Sequence, residues 1–277
     1  MASFEFDEIG HWSEIKLDII KDYAKEYSKI LSNWTLSKGH FYVDAFAGAG
    51  IHISKAKGEF IAGSPLNALN TVPPFKHYYL IDLHTGKTEN LKQIAKDHAN
   101  VDVYEGDCNE ILLTKIYPLL PREKFTRALC ILDPYGLHLN WEAMRKAGEL
   151  GTVEIFLNFP VADMNRNALW KNKDKVNSKQ AARMTAFWGD ESWRNIAYGT
   201  ENDLFGEYSI KNDNETIAEA FRQRLKTVAG FKHVLEPMPM RNSSNAIVYY
   251  LYFASPNDTA NKIVQHIFKK YQNRGAT

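Results

Sequence analysis

Short apolar runs in this chain end on residues that can bind or react. In YVDAFAGAG, residues 42–50, Asp44 is followed by Phe46, Gly48 and Gly50. A glycine-rich turn after a strand lets the backbone approach a ligand closely, because no Cβ intervenes. Asp82 closes the run YYLI, Asp107 follows VDVY within EGDCNE, and Asp133 follows ALCIL. In a doubly wound sheet, ligands bind outside the carboxyl ends of the strands, so four acidic residues that close four runs gather at one crevice. Asp82 is placed to accept both hydroxyls of a ribose, and Asp107, helped by Asn109, to accept an adenine amino group. A nucleoside-bearing ligand fits them together. Each carboxylate taken alone is an ordinary strand-end cap.

A second candidate for chemistry is LDPYGL, residues 132–137, where a carboxylate acceptor, Asp133, and an aromatic ring, Tyr135, stand on either side of Pro134. The alternative is a plain turn shaped by Pro134 and Gly136. Asn158, Phe159 and Pro160 close the next run on the same edge and either line an acceptor pocket or redirect the chain. From 166 to 183 the chain carries Arg166, Lys171, Lys173, Lys175, Lys179 and Arg183 against the single acid Asp174, with Trp170 and Trp188 at the margins. Basic side chains interleaved with aromatics hold phosphates and stack exposed bases; a solvated face has the same composition. His11, Trp12 and Lys16 open the first helix near the mouth of the crevice.

The elements that must position these groups follow from periodicity. Ile15, Ile19, Ile20, Tyr23, Tyr27, Ile30 and Leu31 recur at helical spacing over 13–31. Runs at 41–47, 78–81, 101–104, 128–132 and 152–158 read as strands. Helices are expected at 64–70, with Ser64 as N-cap and Pro65 at the first helical position, and at 87–98. Residues 51–63 read as a loop able to cover the ligand. Residues from about 160 to 210 break the alternation and read as an inserted, partly helical lobe. A helix at 215–228 stopping at Gly230, strands at 232–238 and 246–253, and a helix at 258–271 complete the chain. The expected fold is α/β: a mostly parallel seven-stranded sheet with an antiparallel C-terminal hairpin, in a single domain over 1–277.

Composition narrows the classes. With 277 residues and 44% hydrophobic content the chain can bury one sizeable core. A net charge of +1, from 34 basic and 33 acidic residues, gives no global pull toward nucleic acid or an anionic membrane, so any polyanion site is a local patch. No run of 18 apolar residues and no signal-peptide pattern occurs, which points to the cytoplasm and to no membrane partner. Cys108 and Cys130 form neither a disulfide framework nor a metal-ligand spacing, and no metal is expected.

The spacing Asp44-x-Phe46-x-Gly48-x-Gly50 resembles motif I of S-adenosylmethionine enzymes, especially base methyltransferases with an FxGxG variant. By that resemblance Asp44 receives the cofactor ammonium, directly or through water, and S-adenosylmethionine is the cofactor. LDPYGL is similar to the D/N-P-P-aromatic sequence of amino-methyltransferases, without the second proline and with Tyr135 one position early; by that resemblance Asp133 accepts a bond from the target amine and Tyr135 stacks on the base. GHWSEIKLDIIKDY, YVDAFAGAG, GSPLNAL, YYLID, EGD and LDPYGL, in this order, resemble the three-Cys-motif partner proteins, with FAGAG in place of FAGPG. The resemblance implies a Rossmann-like class I methyltransferase fold and, as a possible partner, a radical-type protein bearing a three-cysteine motif. It leaves two functions open, methyl transfer to an amino group of a nucleic-acid base and a non-catalytic partner role. A nicotinamide dinucleotide would share the glycine turn and Asp82, but the strand-end DPY and the terminal hairpin favour methyl transfer.

Overall fold

The computed structural model describes residues 6–203 and 206–272. The chain runs β1 (Asp7–Ile9), α1 (His11–Ser32), β2 (Gly39–Asp44), β3 (Ile51–Ser54), β4 (Phe60–Ala62), α2 (Ser64–Leu69), β5 (His77–Asp82), α3 (Thr85–Ala95), β6 (Val101–Glu105), α4 (Cys108–Ile111), β7 (Thr126–Leu132), α5 (Trp141–Leu150) and β8 (Val153–Phe159). It continues through α6 (Val161–Asn167), α7 (Ser178–Trp188), α8 (Trp193–Ala197), β9 (Tyr198–Asp203), β10 (Gly206–Lys211), α9 (Asn214–Thr227), β11 (His233–Val234), β12 (Met238–Arg241), β13 (Ile247–Ser255) and α10 (Asp258–Gln272).

The main sheet has the order β11-β13-β8-β7-β2-β5-β6, with β12 pairing β13 as well. Strands β6, β5, β2, β7 and β8 are mutually parallel, and β13 is antiparallel to β8 and to both β11 and β12. Two-sided burial follows from side-chain alternation along the strands. In β7, Ala128, Cys130 and Leu132 enter one core cluster while Leu129 and Ile131 enter the other. The first cluster also takes in buried residues of α5, α7 and α9, the second those of α1 and α10. Both cysteines are buried packing residues, and burial pushes the Cys108 thiol up to about 12.

The chain leaves β2 for β5 and β6 on one side and returns to β7 on the other. The order therefore reverses beside β2, and the ligand crevice of such a sheet lies at that reversal, outside the carboxyl ends.

Four local expectations change. The strand expected at 232–238 is two short strands, β11 and β12, each antiparallel to β13. Residues 51–63 form a hairpin, β3 antiparallel to β4, and β1 adds a parallel third strand through Asp7↔His52 and Ile9↔Ser54. Alternation within so short a segment is weak, and the pairing depends on residues far away in sequence. The N-cap of α2 is Gly63, with Ser64 already inside the helix and no side-chain cap. The segment at 160–210 contains a β9–β10 hairpin besides its helices.

Candidate functional site

The turn that follows β2 places Gly48 (φ +63°) and Gly50 (φ +80°) in the left-handed region, which side chains resist. The Gly48 N–H donates to Asp82 Oδ2 at 2.8 Å and the His84 N–H to Oδ1 at 2.9 Å. Asp82, at the tip of β5, thus holds the glycine turn of β2, and each of its oxygens keeps a lone pair that a hydroxyl can use. The two glycines are not equivalent. A Cβ on Gly50 would lie 2.7 Å from Ile94 Cδ1, so its open face is filled by α3. On Gly48 the nearest atom would be His52 Cε1 at 3.9 Å. Gly48 is therefore the point of close backbone approach, and Gly50 is required by packing.

Asp44 is fully buried at the end of β2. Its carboxylate accepts the Phe46 N–H at 3.3 Å and the Tyr42 hydroxyl at 3.3 Å. Burial pushes its pKa up to about 6; the hydrogen bond from Ser64 opposes this and the charge of Asp133 adds to it. A direct bond from Asp44 to a ligand ammonium requires the turn to part. Without that, Asp44 acts on the ligand through its charge. Phe46 is partly buried against the core and contributes its backbone to the turn.

Asp107 is the exposed N-cap of α4, accepting the Asn109 N–H at 2.8 Å and Asn109 Nδ2 at 2.9 Å. The capping role weighed against ligand binding is thus occupied. Asn109 is buried and also donates to His138 O at 3.0 Å while accepting the Asn140 N–H at 2.7 Å, which ties the β6 tip to the segment after β7.

At the tips of β7 and β8 the side chains converge. Asp133 forms an ion pair with Lys16, and Asn158 Nδ2 donates to its other oxygen at 2.7 Å. Lys16 is buried. Burial alone would lower its pKa, but Asp133, Tyr249 and Asp44 outweigh that and raise it, so the ammonium form persists. Its Nζ lies 5.4 Å from the centre of the Tyr249 ring, and the Tyr249 hydroxyl donates to Trp12 O at 3.3 Å. Pro134 is buried and Tyr135 is 85% exposed, free to stack on an incoming ring.

The basic segment presents Lys171, Lys173 and Lys175 to solvent. None of Arg166, Lys171, Lys173, Lys175, Lys179 and Arg183 is ion-paired among the described residues. Arg183 reaches His138 Nε2 at 3.1 Å, so α7 touches the segment that follows the DPYG turn. Trp170 is 41% exposed, but Trp188 is buried with its indole N–H on Ser192 Oγ at 2.9 Å, which removes it as a stacking platform.

Several neighbours of the site give little signal in sequence. Lys16 stands out only as a helix-start residue, since its partner lies far along the chain. His52, on β3, faces Gly48, and its pKa is lowered by burial and by Lys16. Leu83 is 66% exposed beside Asp82, an apolar surface at the same edge. Among the described residues no group of three His, Cys, Asp or Glu could hold a metal, and no helix is long and apolar enough to cross a membrane.

No protein-family model matches the chain, and no curated protein matches it in sequence. Solved structures do. A crystal structure of a protein from Legionella pneumophila str. Philadelphia 1 superposes with a TM-score of 0.53 at 14% identity, over 93% of this chain and 91% of that one. Looser superpositions include a putative methyltransferase from Thermobifida fusca (TM-score 0.42, 12% identity, 87% of this chain and 79% of that one). The N-methyltransferase NodS from Bradyrhizobium japonicum, in complex with S-adenosyl-L-homocysteine, gives 0.36 at 11% identity over 85% and 88%. At such identities the likeness is one of fold.

Proposed function

We propose that this chain is an S-adenosylmethionine-dependent methyltransferase acting on an amino group of a nucleic-acid base. One observation carries this: the tips of β2, β5, β7 and β8 meet beside the reversal of strand order, with Asp82 clamping the Gly48 turn on one side and Asp133 held between Lys16 and Asn158 on the other. The residues suit the cofactor. Gly48 admits a close backbone approach, Asp82 retains acceptor capacity for ribose hydroxyls, Leu83 offers an apolar face to adenine, and the buried charge of Asp44 favours a cation nearby. When bound, S-adenosylmethionine supplies a methyl group already activated on sulfonium, so the protein's task is alignment rather than activation. Tyr135 stacks on the base, Pro134 shapes the turn, and Asp133 and Asn158 form the polar wall behind the amine. Lys171, Lys173 and Lys175 hold the phosphate backbone.

Calorimetry with S-adenosylmethionine and its demethylated product tests the cofactor; absence of binding at millimolar concentration refutes it. Transfer of a labelled methyl group into cellular RNA, DNA or protein fractions tests the acceptor. A second reading, a non-catalytic partner of a radical-type three-Cys-motif protein, is favoured by one feature: Lys16 already occupies Asp133. Cofactor binding without transfer into any fraction would select it.

A further inference from the structure

Two buried oxygens at the DPYG turn have no hydrogen-bond partner among the described residues: Asn158 Oδ1 and Asp163 Oδ2. The orientation of the Asn158 amide is set by chemistry. An ionised carboxylate only accepts, so the nitrogen of Asn158 must face Asp133, as it does at 2.7 Å, and the amide oxygen is turned away from it. Asp163, in the first turn of α6, accepts from Asn167 Nδ2 through Oδ1 at 2.9 Å and leaves Oδ2 unused. That oxygen packs directly against the turn, since a Cβ on Gly136 would lie 2.6 Å from it. One unused acceptor therefore stands beside Asp133, where the turn begins, and another beside Gly136, where it ends.

Lys16 supplies no donor to them in this structure, because its ammonium is paired to Asp133. Buried acceptors left without donors are costly, and natural structures rarely keep them without a function. What they lack is a donor, and an amine brings two N–H groups, one for each oxygen, where a hydroxyl brings a single O–H. A carboxylate, a phosphate or a carbonyl would add acceptors to a wall already made of them.

We infer that Asn158 Oδ1 and Asp163 Oδ2, both enclosed in this structure, are the specificity-determining acceptors that an entering ring must uncover in the methyl-acceptor pocket. They select a heterocycle that carries an exocyclic amine, while Asp133, locked by Lys16, orients Asn158 and does not itself receive the amine. This rests on the methyltransferase proposal for its location in the active site, but the recognition itself is a binding property. It predicts that the pocket distinguishes a ring with its amine from the same ring with hydrogen in its place.

The test is equilibrium binding, by calorimetry or NMR titration, of adenosine against purine riboside and of cytidine against 2-pyrimidinone riboside. Each pair keeps ring and ribose and differs only in the amine. Saturating S-adenosylhomocysteine blocks the cofactor pocket against adenosine, and the cytidine pair needs no such block. In each pair the amine-bearing nucleoside is expected to bind at least tenfold more tightly, equivalent to about 1.4 kcal/mol. Asn158→Leu and Asp163→Leu are each expected to reduce the preference below threefold. Circular dichroism and the melting profile confirm folding of each variant. Equal binding within both pairs, no detectable binding of any nucleoside at 10 mM, or an unchanged preference in both Asn158→Leu and Asp163→Leu overturns the assignment. If S-adenosylhomocysteine fails to bind while cytidine is still preferred, the cofactor proposal falls and this one stands.

Discussion

Asp44 titrates within an accessible range. Burial holds its carboxyl at about 6, so below that pH the group is neutral and offers no field to a cationic ligand. The affinity for S-adenosylmethionine is expected to climb from pH 5 and flatten above about pH 7, with a slope of at most tenfold per pH unit, and Asp44→Asn is expected to abolish the climb. Calorimetry at several pH values reads this directly, and a flat native profile would remove Asp44 from the cofactor site. Gly136 supplies a second residue-scale expectation. Its φ of +62° and the 2.6 Å that a Cβ would leave to Asp163 Oδ2 both oppose a side chain. Gly136→Ala is expected to cost roughly 1–2 kcal/mol of unfolding free energy and to impair acceptor use, because the turn and α6 must move apart. Unchanged urea midpoint and unchanged methyl transfer in that variant would show that the turn has slack the geometry does not suggest.

Among the elements, the helical lobe carries the expectation that depends on charge. Lys171, Lys173 and Lys175 are exposed around a short turn and have no ion-pair partner among the described residues, so they are available to phosphates. Replacing all three by Glu should weaken binding of a single-stranded oligonucleotide. It should also make the dependence of log K on log salt shallower, by about 0.7 for each phosphate that is no longer neutralised. An unaltered slope measured by fluorescence anisotropy would mean that these lysines only face solvent. Elements differ, too, in how far the sequence alone discloses them. β2, β5 and β7 are readable because two-sided burial writes an unbroken apolar run, β6 and β8 because apolar residues dominate around Asp102 and Glu154, and an acidic residue closing four of these five runs, all but β8, marks the edge where a ligand sits. β1, β3 and β4 are not, since three- and four-residue strands show almost no alternation and exist through pairing with one another and through links such as Ser54 Oγ to Glu14 at 2.7 Å and Lys87 to Asp7 at 2.7 Å. The same cause hides the Lys16–Asp133 pair: a helix face and a strand tip meet only after the sheet has formed. Trp188 misleads for the opposite reason, as proximity in sequence to lysines says nothing about which face of α7 is buried.

Across the whole molecule, buried ionisable groups pull stability in opposite directions as pH changes. The folded state holds protons on Asp44 and on Glu154, whose carboxyl is pushed up to about 7 by burial, at pH values where an unfolded chain has released them. Both therefore lower stability as pH rises from about 4 toward 7. His40, lowered by burial to about 4, and His52, lowered by burial and by Lys16, act with the reverse sign: they stay neutral where an unfolded histidine is protonated, so stability grows as pH rises toward the ordinary histidine range. Between pH 4.5 and 6.5 these contributions offset one another, and the native profile conceals both. A difference measurement separates them. Glu154, on β8, faces α1, where the Tyr23 hydroxyl donates to it. Glu154→Gln imitates its protonated form and keeps an oxygen for that hydroxyl. Relative to the native protein, this variant is expected to gain stability steadily from about pH 4.5 to pH 7, with a slope of at most about 1.4 kcal/mol per pH unit, and to hold a constant advantage above that. Urea denaturation of both proteins from pH 4.5 to 8.5 gives the difference curve. A constant difference would mean that Glu154 ionises in the folded protein as readily as in the unfolded chain. A difference that shrinks with rising pH would mean that the buried carboxylate is stabilised by its partners more than burial disfavours it.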